Sequence, residues 1–165
     1  MKKKIRERKH RLPREAYQGR VTVSITACIA GRRTPFVEEA IVDDFIAKLK
    51  DAAMKNQCHV LIYCFMPDHV HILLQGAEDT ADAWKAMVDF KQKAGYWFSQ
   101  NRPEFEWQKD FHDHVIRCDE DLGAHIRYIA DNPVRWGLVK VWHEYRFTGS
   151  IDVELREILA DAATL

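Results

Sequence analysis

Alternating and periodic apolar positions predict the elements in the first half of the chain. Val21–Ile29 alternates apolar with small polar residues and is rich in β-branched side chains, which predicts a half-buried strand. Over residues 36–55 the apolar positions recur every three or four residues, which predicts an amphipathic helix. Two apolar runs, His59–Met66 and His69–Leu74, flank Pro67-Asp68, a pair that suits a tight turn. These runs therefore predict a hairpin.

The second half of the chain begins with another helix and another strand. Asp79 or Thr80 can cap a helix whose apolar periodicity extends to about Asn101. After a loop that contains Pro103, Phe111–Arg117 has the length and composition of a fourth strand.

A last helix follows the fourth strand. Asp119 is expected to open it, and Pro133 is expected to end it near Asp131 or Asn132, because a proline disfavours the helical conformation in the residue before it. The chain after Gly137 shows no assignable pattern. The order β-α-β-β-α-β plus a C-terminal helix predicts an α+β fold of the ferredoxin-like (RRM-like) type, an antiparallel sheet with helices on one face.

Length and composition fit one globular domain with a real core. The chain has 165 residues, of which 47% are apolar and 30% charged. We expect a basic N-terminal arm over residues 1–19, a folded domain over 20–150 and a short tail over 151–165. No apolar segment is long enough for a membrane span and no secretory signal begins the chain, so a cytoplasmic location is expected. The four cysteines contain no C-x-x-C pair, which argues against a zinc ribbon or a disulfide framework.

A neutral overall balance of 25 basic and 25 acidic residues conceals an asymmetry. Residues 1–20 contain nine Lys or Arg and two Glu, a net charge of +7. Such an arm can follow the phosphates of a nucleic acid, although a solvated tail has the same composition. The candidate phosphate contacts in the arm are Lys4, Arg6, Arg8, Lys9, Arg11 and Arg14.

The motif His69-Val70-His71 is the sharpest chemical feature of the sequence. Because side chains alternate along a strand, the two histidines share one face roughly 6.6 Å apart while Val70 packs on the other, so both imidazoles can bind one metal ion. A histidine-triad hydrolase needs a third alternating histidine, but Leu73 stands there, and the H-E-x-x-H helix of a zinc protease is absent. His112-Asp113-His114 is a weaker candidate pair, since Asp113 occupies a position that a core-facing strand would fill with an apolar residue.

Tyr128 and Asn132 are spaced i and i+4, so on one helix the phenol and the carboxamide converge on one point. A tyrosine with its ordinary pKa is a weak nucleophile that needs a polarised electrophile, which a divalent ion on a phosphate oxygen would supply. Two imidazoles and one amide oxygen suit Mg²⁺ or Mn²⁺ with positions left for water and substrate. Tyr96 is a rival nucleophile, but its neighbours Trp97 and Phe98 indicate helix packing.

Together these motifs resemble the single-tyrosine HUH transposases (IS200-like), and among them the REP-associated tyrosine transposases. The resemblance runs from about Arg11 to Ser150. It rests on Phe65–Asp68 before the histidine motif, Trp107-Gln108, His114–Arg117, Arg127–Val134 and Gly137–Val139.

The resemblance implies the ferredoxin-like fold, a metal held by His69 and His71, and Tyr128 as the nucleophile that becomes linked to a 5′-phosphate and leaves a free 3′-hydroxyl. Asn132 would be the third ligand. Insertion-sequence relatives usually have glutamine there, so the asparagine favours the REP-associated branch. The implied substrate is single-stranded DNA with a palindromic hairpin, bound by a monomer or a homodimer. Trp107, His114 and Arg117 are further candidates for DNA contact.

Two other functions remain open at this point. An RRM-like sheet can bind single-stranded nucleic acid without cutting it, although the usual aromatic signature is absent. A metal-dependent phosphohydrolase could use activated water, with Tyr128 only structural. Metal dependence separates the first alternative from a tyrosine transposase, and a covalent protein-DNA product separates the second.

Overall fold

The computed structural model describes residues 11–161, and its five strands form one antiparallel sheet in the order β4-β1-β3-β2-β5. The strands are β1 Thr22–Cys28, β2 Cys58–Met66, β3 His69–Gly76, β4 His112–Ile116 and β5 Thr148–Ile151. The helices are α1 Glu39–Lys55, α2 Ala83–Asn101, α3 Leu122–Ala130, α4 Asn132–Arg135 and α5 Leu155–Asp161. The predicted ferredoxin-like order is confirmed over the first four strands.

Helices α1 and α2 cover one face of the sheet and enclose the larger core. Their aromatic side chains meet edge to face: Phe45 packs against Phe90 and Phe98, and Phe36 packs against Phe65 of β2. Edge-to-face packing aligns the positive rim of one ring with the negative face of the next. This core makes the sheet a rigid support for whatever lies on its other face.

Helix α3 lies on the opposite face, where it packs with α5 over a second, smaller core. Leu61 and Ile62 of β2 both belong to this core, because the pairing of β2 with β3 shifts between Val60 and Ile62. A β-bulge of this kind turns two neighbouring residues to one side and so widens the apolar floor beneath a helix. Tyr128 lies in α3, and two further helical segments, α4 and α5, follow it.

Several element ends differ from the sequence-based expectation. Helix α1 begins at Glu39 because Phe36 lies in a preceding 3₁₀ turn and inserts its ring into the core. Helix α2 is capped by neither Asp79 nor Thr80 but by Asp82, whose side chain accepts a hydrogen bond from the Lys85 N–H at 2.9 Å. The Lys85 N–H, which has no backbone acceptor in the first turn of the helix, gains a hydrogen-bond partner in this way.

Two further differences concern the last third of the chain. Helix α3 opens at Leu122 with Asp121 as its cap, not at Asp119. Strand β5 was not predicted, and it extends the sheet beyond β2.

The predicted N-terminal arm and the predicted C-terminal tail each contribute a buried residue to the folded domain. Tyr17, within the predicted arm, is buried and donates a hydrogen bond to Asp113 at 2.5 Å. Leu155, within the predicted tail, is buried against α3. No helix within residues 11–161 combines the length and the apolar character that crossing a membrane requires.

Candidate active site

The histidine motif lies on β3, near the centre of the sheet. Val70 and Ile72 are fully buried beneath α1 and α2, so the alternation of the strand turns His69 and His71 to the face that carries α3. The predicted placement of the two histidines on one face is confirmed. Their rings lie 4.8 Å apart, centre to centre, at an angle of 90°.

Each imidazole is fixed through its Nδ1 atom. His69 Nδ1 lies 2.6 Å from Asp68 Oδ1, and His71 Nδ1 lies 2.9 Å from the hydroxyl of Thr26 on β1. A carboxylate or hydroxyl that accepts from Nδ1–H leaves the lone pair of Nε2 free for a cation. Thr26 lies directly opposite His71 across the β1–β3 pair, which is why its short side chain reaches the ring.

The donor set fits a divalent cation. With both Nδ1 atoms protonated, two lone pairs face each other, since the Nε2 atoms of His69 and His71 are 3.1 Å apart. Neighbouring ligands in an octahedron with bonds of about 2.1 Å are separated by about 3.0 Å. The separation of the two Nε2 atoms therefore matches that of two neighbouring ligands of one cation.

The surroundings keep His71 uncharged at neutral pH. Its pKa is lowered to about 4, first by burial and then by the neighbouring His69 and the guanidinium of Arg135. A neutral imidazole is the form that binds metal ions.

We expect a pH dependence of stability from His71. An unfolded histidine has a pKa near 6.5, so as the pH falls from 6.5 to 4 the unfolded chain takes up a proton that the folded chain does not, and the free energy of unfolding falls by about 3 kcal/mol. Urea unfolding at pH 7 and pH 4.5, with EDTA present, measures this loss. His71→Gln should lose less stability over this interval, and an equal loss in both proteins would contradict the assignment.

Helices α3 and α4 bring the predicted nucleophile and the predicted third ligand to the same face of the sheet. Tyr128 is 62% exposed, as a nucleophile that meets a polymer must be. Asn132 is only 5% exposed, and its Nδ2 has no hydrogen-bond partner among the described residues. Its Oδ1 accepts a hydrogen bond from Arg135 at 3.0 Å and retains a second lone pair. A cation would bind the second lone pair of Oδ1 and not the unpaired Nδ2, which is only a donor.

Helix α3 ends close to the predicted position, but Pro133 lies inside a further helical turn and does not terminate the helical path. Helix α3 ends at Ala130, Asp131 keeps near-helical angles, and α4 begins at Asn132 with Pro133 in its first turn. A proline is tolerated in a first turn because its missing N–H would have no partner there. The nearly continuous path carries the face of Tyr128 and Asn132 onward to Arg135.

Arg135, like Thr26, is a site residue that the sequence analysis did not predict. Its guanidinium lies 4.0 Å from the centre of the Tyr128 ring and donates to the Tyr128 carbonyl oxygen at 3.0 Å as well as to Asn132. Both acceptors are uncharged, so the positive charge is not neutralised by them. The spacing of Tyr128, Asn132 and Arg135, at i, i+4 and i+7, is the signal that could have found it, had the helix been extended past Pro133.

The candidate DNA contacts outside the basic arm lie in different surroundings. Trp107 packs between α1 and α2 against Phe36 and Phe90, so much of its ring belongs to the core. His114 is engaged by Glu120 at 2.8 Å, and Glu120 also accepts a hydrogen bond from the Arg117 N–H. Direct DNA contact by Trp107, His114 and Arg117 stays a prediction.

The basic arm is only partly described. Lys4, Arg6, Arg8 and Lys9 lie outside the described residues. Two further members of the arm are attached to the fold: Arg11 stacks over Trp84 and pairs with Asp113 at 3.4 Å, and Arg14 pairs with Asp82 at 3.1 Å.

The rival nucleophile Tyr96 and the second histidine pair, His112 and His114, can be judged by the face of the sheet on which each lies. Tyr96 is exposed, not packed as expected, but it lies on α2, which covers the face opposite the histidines. Asp113 also points to the α1–α2 side, where Tyr17 and Arg11 pair with it and explain a carboxylate at a core-facing position. His112 and His114 therefore face the α3 side, and His114 turns to Glu120.

Comparison with known proteins supports the family resemblance that the sequence motifs indicate. A family model described as "Transposase IS200 like" matches residues 18–132. A Haemophilus influenzae protein assigned to the REP-associated tyrosine transposases is 28% identical over 119 residues, which cover 65% of this chain and 67% of that protein. The REP-associated tyrosine transposase of Escherichia coli K12 is 30% identical over 87 residues, which cover 50% of this chain and 48% of the relative.

The fold also has a solved counterpart. A REP-associated tyrosine transposase bound to a REP hairpin superposes with a TM-score of 0.69 at 21% identity, covering 80% of this chain and 78% of that one. At this level of identity the likeness establishes the fold. The matched family segment contains β1 to β4, both histidines, Tyr128 and Asn132.

Proposed function

Because this chain belongs to the IS200-like transposase family, we propose that it is a metal-dependent endonuclease and strand transferase that attacks single-stranded DNA with Tyr128. The observation that carries the proposal is the face of the sheet that His69 and His71 share with α3 and α4. That face carries the two imidazoles, whose Nε2 atoms lie 3.1 Å apart, together with an exposed phenol, a buried amide and a guanidinium that donates to two uncharged acceptors.

The proposed reaction exchanges one ester for another. Tyr128 Oη forms a bond to the phosphorus of the scissile phosphodiester, and the bond from phosphorus to the 3′-oxygen breaks. The phenolic proton is released, and the departing 3′-oxygen takes up a proton to become a free 3′-hydroxyl. The 5′-phosphate stays on the tyrosine, so the energy of the phosphodiester is retained for rejoining the DNA to another 3′-hydroxyl.

His69, His71 and Asn132 would hold Mg²⁺ or Mn²⁺, which when bound supplies Lewis-acid polarisation of a phosphate oxygen. The chain's own residues do the positioning. Asp68 and Thr26 hold the two imidazoles through their Nδ1 atoms, and the α3–α4 path holds Tyr128 and Asn132 on the same face of the sheet. Rigid positioning of this kind lowers the entropic cost of reaching the in-line geometry.

The proposed substrate is single-stranded DNA that carries a palindromic hairpin. The structurally similar REP-associated transposase was solved bound to a REP hairpin. In this chain, the basic residues at the N-terminus offer phosphate contacts, which would make binding salt-dependent.

A denaturing-gel assay tests the proposal. The protein is incubated with Mn²⁺ or EDTA and single-stranded oligonucleotides with palindromic hairpins, labelled at either end. We expect a metal-dependent covalent adduct on the fragment that carries the 5′-phosphate, and a second fragment with a free 3′-hydroxyl. Cleavage without an adduct would favour attack by water, and metal-independent binding without cleavage would favour a binding module.

Arg135 gives a more specific prediction. Arg135→Ala should slow single-turnover nicking by about 10- to 100-fold, the value of a charge-assisted hydrogen bond, because it removes the guanidinium that contacts the Tyr128 ring and that we expect to pair with a substrate phosphate. Arg135→Lys should recover only part of the rate, since an ammonium cannot stack on the Tyr128 ring as the planar guanidinium does.

Arg146→Ala is the matched control for this prediction. It removes the same charge, but its guanidinium pairs with Glu39 at the start of α1. Equal rates for wild type and Arg135→Ala would exclude a role for Arg135 in positioning the nucleophile.

A further inference from the structure

Three metal-ligating side chains converge between the edge strand and the helix of the tyrosine. His114 lies on β4, Glu120 in the loop that follows it, and His125 in the first half of α3. We propose that these residues form a second metal site, selective for Zn²⁺ and similar transition ions, which ties β4 to α3. This site is distinct from the pair His69 and His71.

A single carboxylate oxygen is shared by the two imidazoles. Glu120 Oε2 lies 2.8 Å from His114 Nε2 and 3.1 Å from His125 Nε2, and the three ligand atoms all lie within 4.8 Å of one another. The imidazole rings are nearly parallel, with an interplanar angle of 26°. Both Nε2 atoms therefore contact the same oxygen from nearly parallel rings.

The carboxylate is already held in place. Glu120 Oε1 accepts a hydrogen bond from the Arg117 N–H at 2.9 Å, while the Glu120 N–H donates to the Arg117 carbonyl oxygen. These bonds close a tight turn at the end of β4. The Arg117 N–H, followed by the two histidines, lowers the pKa of Glu120 to about 2, so the group is an anion wherever a metal could bind.

The donor chemistry matches zinc better than magnesium. Two imidazoles and a carboxylate are a known zinc donor set that leaves a fourth position for water, whereas Mg²⁺ prefers oxygen ligands in an octahedron. Ligands around tetrahedral zinc, with bonds of about 2.1 Å, lie about 3.4 Å apart. His114 is half exposed on an edge strand, so its ring can make the small shift that this geometry requires.

The predicted consequence is mechanical. His125 precedes Tyr128 by three residues on α3, so it lies one helical turn away. An ion bound here would link the helix of the candidate nucleophile to the sheet. Zinc should therefore raise the thermal stability of the folded chain, by the usual linkage between binding and folding.

Calorimetric titration of the full chain with Zn²⁺ tests the site. The starting protein is the double variant His69→Ala/His71→Ala, in which the other histidine pair is absent. We expect one zinc ion per chain and a higher Tm in its presence. Adding His125→Ala or Glu120→Gln should weaken zinc binding at least tenfold, while circular dichroism reports whether each variant is folded.

Two controls share the surroundings of the site. His112→Ala removes an exposed imidazole from the same strand, and Cys118→Ser removes an exposed thiol beside Arg117. Both should leave zinc binding unchanged. The proposal is overturned if the double variant binds no zinc, or if folded His125→Ala and Glu120→Gln proteins bind it as tightly as their parent.

Discussion

Tyr128→Phe is expected to abolish the covalent protein-DNA adduct and to reduce nicking by at least about a thousandfold. The substitution removes only the hydroxyl. The ring can keep its contact with the Arg135 guanidinium, and because the side chain is 62% exposed, little packing is lost. The effect should therefore be on chemistry alone, with hairpin affinity and melting temperature close to those of the wild type.

Tyr96→Phe provides the matched control. Tyr96 is 70% exposed, also on a helix, but on the opposite face of the sheet. Its removal should leave adduct formation unchanged. Adduct formed by Tyr128→Phe would refute Tyr128 as the nucleophile, and cleavage without adduct in both the wild type and the variant would favour hydrolysis by water.

The placement of the histidines was predictable because a strand has a strict period of two. Once Val70 and Ile72 were assigned to the core, His69 and His71 had to face away from it, and the structure confirms this. The order of the first four strands followed from equally local patterns. Tyr128 and Asn132 are candidates because of their spacing together with the family resemblance.

Arg135 was not predicted because Pro133 can either end a helix or stand in the first turn of one, and only the first of these roles was considered. A proline at this position predicts a helix end, whereas the structure places Pro133 in the first turn of α4, where proline is favoured. The local sequence permits both outcomes. The choice depends on Asp131, which keeps near-helical angles and joins the two helices.

Other features depend on tertiary contacts that no local pattern contains. Strand β5 has four residues, including Gly149 and Ser150, and its extended conformation follows from pairing with β2. The cluster of His114, Glu120 and His125 joins a strand, a loop and a helix. Such a site becomes visible only when the elements are packed together.

The paired imidazoles give the second large prediction. His71→Ala should weaken Mn²⁺ binding and slow nicking by at least about a hundredfold, because one lone pair of the facing Nε2 atoms is removed. The titration is done in a His125→Ala background, so that the proposed second site does not contribute. Thr26→Val should give a smaller loss, about tenfold, since it removes only the anchor of the His71 Nδ1 atom.

His59→Ala separates loss of this site from loss of any imidazole in the sheet. His59 lies near the opposite end of β2, where its ring approaches Asp152 at 4.0 Å, far along the strand from Met66, the partner of His69. Its removal should leave Mn²⁺ affinity and nicking unchanged. If His71→Ala binds Mn²⁺ as tightly as its parent, the ion is held elsewhere, and the short distance between His69 and His71 then reflects a proton shared by the two rings.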